Sequence, residues 1–124
     1  MSSPTLAIGT YDNRVSFRPG EKVEGKAMWI LEKDPESVEI RLIWYTSGKG
    51  TQDVEIVATR ALPAPGRHSE AEFSFTLPAA PYSFSGKLIS LIWALELVVL
   101  PSNQAQRLNI TVSPTGTEVI LGKT

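Results

Sequence analysis

The sequence predicts an all-β protein built as an antiparallel sandwich. Three observations carry that prediction. Apolar and polar residues alternate with a period of two through most of the chain. Nine Gly and nine Pro are spread along 124 residues and leave little room for long helices. The runs between them have the length and spacing of strands in two packed sheets, with apolar faces inward and charged faces in water.

The elements follow in order. Strands are expected at roughly 5–11, 14–17, 22–32, 37–46, 52–62, 69–77, 86–100, 106–113 and 117–121. In the third, Val23, Gly25, Ala27, Trp29 and Leu31 share one face, and Lys22, Glu24 and Lys26 share the other. Val38, Ile40, Leu42 and Trp44 alternate with Glu39 and Arg41 in the fourth. Val54, Ile56 and Ala58 alternate with Glu55 in the fifth, which places those three on its inward face. Phe73, Phe75 and Leu77 mark the sixth, and Leu108, Ile110 and Val112 the eighth. The run Leu88–Leu100 would also suit a buried helix. A strand is preferred because Ile89, Leu91, Trp93, Leu95, Leu97 and Val99 fill every odd position. The three tryptophans all fall on apolar phases, so core packing is expected of them rather than an exposed platform.

Composition narrows the function. Twelve Lys and Arg against thirteen Asp and Glu give a net charge of −1. Nucleic-acid binding needs a basic surplus or stripe, and neither is present. The absence of cysteine removes disulfides, thiolate metal sites and cysteine nucleophiles, and a single histidine removes His-cluster metal sites. No cofactor and no catalytic constellation is expected. The N-terminus has neither the basic nor the apolar region of a signal peptide. The longest apolar run is shorter than the roughly 20 residues a spanning helix needs. One domain over residues 1–124, cytoplasmic and not integral to a membrane, is the expectation.

Three stretches carry a resemblance. Phe17-Arg18-Pro19-Gly20-Glu21-Lys22-Val23-Glu24-Gly25 looks like the Pro-Gly-Glu turn segment of arrestin-like N-terminal domains. Pro19 presets one turn dihedral and Gly20 permits the next. Gly25 leaves room for a neighbouring backbone or a bulge. Leu77-Pro78-Ala79-Ala80-Pro81-Tyr82-Ser83-Phe84-Ser85-Gly86-Lys87 resembles the family's Leu-Pro-x-x-Pro-x-Ser-x-x-Gly-Lys loop. Val38–Tyr45 followed by Thr46-Ser47-Gly48-Lys49-Gly50-Thr51 is similar to its long hairpin. The resemblance spans about residues 5–113 and implies an immunoglobulin-like, arrestin-like sandwich that works by protein contact. Arrestins, the arrestin-fold retromer subunit and the bacillar sporulation-control protein carry two such sandwiches. This sequence shows one, and no basic cluster, so phosphate sensing is not carried over.

The candidate residues each have a plain reading beside a functional one. Gly48-Lys49-Gly50-Thr51 has flanking strands and lacks the longer glycine spacing and the helix of a phosphate loop, so it reads as a hairpin. His68 sits in a Pro/Gly loop and reads as solvated. Glu96 either faces outward or pairs with an Arg on a neighbouring strand, with Arg41 or Arg107 the first partners if it is buried, or it is an acid with a raised pKa. Tyr82 and Phe84 either fold back as a plug or stand out as an anchor. Tyr82, Phe84 and Lys49 are therefore the candidate interaction residues. The expected function is a non-enzymatic scaffold or adaptor domain with an unknown protein partner. A homodimer would supply the contact that a second sandwich makes in the resembling proteins. The alternative is a carbohydrate- or small-ligand-binding sandwich, whose amides would come from Asn13, Gln52 and a cluster of four, Asn103, Gln104, Gln106 and Asn109.

Overall fold

The computed structural model of the chain describes residues 4–48, 52–86, 89–115 and 119–120. Its strands are β1 (Thr5–Thr10), β2 (Ser16–Phe17), β3 (Lys22–Ile30), β4 (Ser37–Gly48), β5 (Val54–Pro63), β6 (His68–Thr76), β7 (Phe84–Ser85), β8 (Ile89–Leu100), β9 (Gln104–Val112) and β10 (Val119–Ile120). A short 3-10 turn, Tyr11–Asn13, follows β1. The small sheet has the order β1-β3-β6 and the large one β10-β7-β8-β4-β5. β9 joins the large sheet on β8, and β2 pairs with β9 in parallel.

The core lies between the sheets, where the alternation predicts it. β3 gives Val23, Ala27 and Trp29, all essentially without solvent contact. β4 gives Val38, Ile40 and Leu42, and β8 gives Trp93, Leu95 and Leu97. Burying one such aliphatic side chain stabilises the fold by roughly 1.5–3 kcal/mol, so these strands hold most of the stability. Trp29 and Trp93 are buried, and Trp44 packs half-buried against the same cluster. The indole N–H groups of the two buried tryptophans are not wasted. Trp29 Nε1 donates to the Gly66 carbonyl and Trp93 Nε1 to the Pro81 carbonyl, each at 2.9 Å. Two Pro/Gly loops are thereby pinned to the core.

Two expectations need correction. The strand expected at 52–62 changes phase along its length. Its register with β4 shifts between Leu42 and Ile43, where Val57 is the extra residue of a β-bulge. Ala58 therefore packs towards the core while Val54 and Ile56 face outward. A second correction concerns 86–100. Gly86 lies outside the strand, which is described from Ile89 onward, and Phe84–Ser85 form a separate two-residue strand inside the expected loop. On the even positions of β8, Ala94 and Val98 are buried although they face away from the core, because a central strand is covered by its neighbours on both sides.

Candidate functional site

β5 is the edge of the large sheet. Among the described residues it pairs with β4 alone, so one row of its backbone groups faces outward. Eight of its ten residues are exposed, which leaves it almost no share in the core. Val54 is 52% exposed, Ile56 49% and Val57 37%. The bulge brings these three apolar side chains to the outside, since a strand that kept the phase of Ala58 would have turned Val54 and Ile56 inward. Glu55 and Arg60 are the only charged residues on the strand. A long edge with apolar side chains and few charges is a template for adding a strand.

The outer face beside this edge is partly closed. Ile43, Tyr45 and Ala94 form a small buried cluster there, with Ile92 packed on it. Its cover is polar. The Arg107 guanidinium lies 4.6 Å from the Tyr45 ring centroid, and the Tyr45 hydroxyl donates to Asn109 Oδ1 at 3.2 Å. Glu96 stands beside it in the β8 register between Arg41 and Arg107, the two partners the sequence names. Arg107 Nη2 approaches Glu96 Oε2 to 2.8 Å and Arg41 Nη1 approaches Oε1 to 3.9 Å. Glu39 holds Arg41 from its other side at 2.7 Å. Partial burial pulls Arg107 towards its neutral form, but the hydrogen bond and charge of Glu96 outweigh it and leave its pKa raised. This is a ladder of alternating charge across three strands, held together and occupied with itself.

The two loops of the arrestin resemblance are built around local locks. Gly20 has φ +85°, the left-handed conformation that the turn demands. The Glu21 N–H donates to the Arg18 carbonyl at 3.1 Å, closing the turn. The Glu21 carboxylate accepts the Arg18 N–H at 2.6 Å and Arg14 Nη2 at 2.7 and 2.8 Å. The Arg14 hydrogen bond, then that of the Arg18 backbone, holds the Glu21 carboxyl below its usual range. Arg14 also stacks 4.5 Å over Phe17. Gly25 is the close approach its position suggests, since a Cβ there would sit 2.0 Å from the Gly9 carbonyl oxygen of β1. In the second loop Ser83 is 2% exposed. It donates its N–H to the Val112 carbonyl at 2.7 Å, and its Oγ accepts the Val112 N–H at 2.9 Å. Ser83 thus stands in for a strand neighbour of β9. The resemblance marks both Glu21 and Ser83, but their partners, Arg14 and Val112, are not legible from spacing.

The candidate residues separate accordingly. Phe84 packs on the core and Tyr82 stands 41% exposed, so the loop is plug and outward residue at once. Lys49, with Gly50 and Thr51, lies outside the described residues. His68 is exposed at the start of β6, opposite Ile30. Among the described residues no group of three acidic or imidazole side chains is placed to hold a metal. A cavity of about 380 Å³ opens at one end of the sandwich, lined by Leu31, Pro35, Val99 and Pro101 with Asp34 and Gln104 among its polar groups. Of the four amides, Gln104 and Gln106 line a neighbouring hollow against β1. No helix among the described residues is long and apolar enough to cross a membrane.

No family model matches the chain, and no curated protein matches it. Solved structures do. The crystal structure of Spo0M, a sporulation control protein from Bacillus subtilis, is similar with a TM-score of 0.61 at 15% identity. The match covers 91% of this chain and 50% of that one, so the chain spans about half of Spo0M's length. A β-glucosidase from Listeria innocua in complex with gluconolactone is similar with a TM-score of 0.50 at 13% identity, over 94% of this chain and 16% of that one. Such low identities speak for architecture alone. Together with the two sheets and their order, they make this chain an arrestin-like β-sandwich.

Proposed function

We propose that this sandwich is a non-catalytic protein-interaction module, an adaptor or scaffold domain, and that the free edge of β5 is its contact element. The observation that carries this reading is the run Val54-Glu55-Ile56-Val57, exposed along an edge whose outward backbone groups have no strand beside them among the described residues. Strand addition there would gain main-chain hydrogen bonds for affinity and the three apolar side chains for selectivity. Tyr82 adds an exposed aromatic on another loop, and Lys49 belongs to the same proposal as a second contact point. A cytoplasmic setting completes the reading.

The test is a pull-down from a lysate of the source organism at moderate salt, with the wild type beside a Val54→Asp/Ile56→Asp variant. The expected result is a protein retained by the wild type and lost by the variant. Equal retention by both, or none by the wild type, further copies of this chain included, would overturn the reading.

A further inference from the structure

The charges on β5 are self-complementary. Glu55 lies opposite Trp44 and Arg60 opposite Ile40, so both belong to the core-side phase of the strand. Residues five apart on a regular strand face opposite ways; these share a face because Val57 is the extra residue of the bulge. Both are exposed at the edge, and neither is in an ion pair among the described residues. Two antiparallel edges related by a two-fold axis normal to the sheet must pair residues of the same face. An axis through Ala58 meets that condition. It sets Glu55 against Arg60 of the second copy, and Arg60 against Glu55 of the second copy. On the outer face it sets Ile56 against Thr59 and Val54 against Ala61, with no like charges opposed.

We propose that β5 pairs antiparallel with β5 of a second copy of this chain about a two-fold axis through Ala58, joining two large sheets into one. The inference rests on the reading of β5 as the contact edge and names its occupant. A foreign strand has no reason to match an acid and a base placed symmetrically about one alanine. A second copy matches them by construction.

The experiment is light scattering of the full chain over a concentration series, with circular dichroism confirming that each variant is folded. The wild type is expected to pass from the mass of one chain to that of two. Glu55→Arg opposes arginine to arginine at both ends and is expected to weaken the dimer about tenfold. Arg60→Glu opposes glutamate to glutamate with a similar loss. An equimolar mixture of the two variants recovers the dimer, as does the double variant within one chain. A wild type that stays monomeric, or a double variant that fails to recover, overturns the self-pairing. If the monomeric wild type still captures a foreign protein that Val54→Asp/Ile56→Asp loses, the contact edge stands and only its occupant is wrong. If it captures nothing, both fall.

Discussion

β4 has β8 on one side and β5 on the other, and the two neighbours are treated very differently. β8 bonds to β4 along twelve residue pairs and to β7 and β9 on its far side. Its odd positions from Leu91 to Val99 fill the core, and Ala94 and Val98 on its other face are buried as well. Among the described residues β5 bonds to β4 alone, and only Ala58 and Leu62 pack against the core. Both strands are rich in β-branched and aliphatic residues. What separates them is the number of neighbours. A central strand is buried by its flanking strands even where it points outward, and an edge strand stays wet even where it is apolar. Stability therefore belongs to β8, and β5 is left available for contact.

The largest expected effect tests that division directly. Leu95→Ala, at a side chain with no exposure, should cost about 2–5 kcal/mol through lost transfer free energy and a residual cavity. Ile56→Ala, half exposed on β5, should stay within about 0.5 kcal/mol. Denaturant titration of both variants checks the pair. A comparable loss for Ile56→Ala would mean that β5 is structural after all.

The acids of the two strands give the next contrast. Glu96 on β8 has a side chain only 14% exposed and lies between two guanidinium groups. Glu96→Ala leaves Arg107 without its carboxylate beside Tyr45 and should cost roughly 1–3 kcal/mol, the range for a hydrogen bond to a charged group. Glu55→Ala on β5 removes no intrachain ion pair among the described residues and should leave the monomer's unfolding midpoint nearly unchanged.

Much of this contrast is legible in the sequence, and the part that is not has physical reasons. Period two assigns the inward faces of β3, β6 and β8 because each keeps one phase throughout. It fails on β5 because Val-Glu-Ile-Val-Ala carries no glycine or proline to mark the bulge, and the shift exists only relative to β4. Pairing of Glu96 with Arg41 and Arg107 is foreseeable as chemistry, while the register that brings all three into line is not. Pro19 and Gly20 announce a turn through their own backbone preferences. Glu21 and Ser83 work through residues the sequence holds 7 and 29 positions away, which no local pattern reports. The self-complementary edge is likewise invisible until the bulge places Glu55 and Arg60 on one face.

The smallest expected effect concerns Glu21, and it asks whether the loop locks add to what β8 supplies. Its carboxyl titrates below the usual glutamate range in the folded protein because Arg14 and the Arg18 N–H favour the charged form. A folded pKa below the unfolded one means that the folded state gives up its proton more readily. The stabilisation is therefore fully present above the unfolded value, near 4.5, and is lost as pH falls through the folded value. The group lies at the surface, where solvent and salt screen such pairs, so the loss is small. Thermal midpoints measured downward from neutral pH should fall for the wild type below that point. Glu21→Gln should start lower at neutral pH and fall less steeply, since the amide has no proton to gain. If the two profiles run parallel through the acid range, the Pro-Gly-Glu lock contributes no pH-dependent stability, and resistance to acid must come from elsewhere in the sandwich.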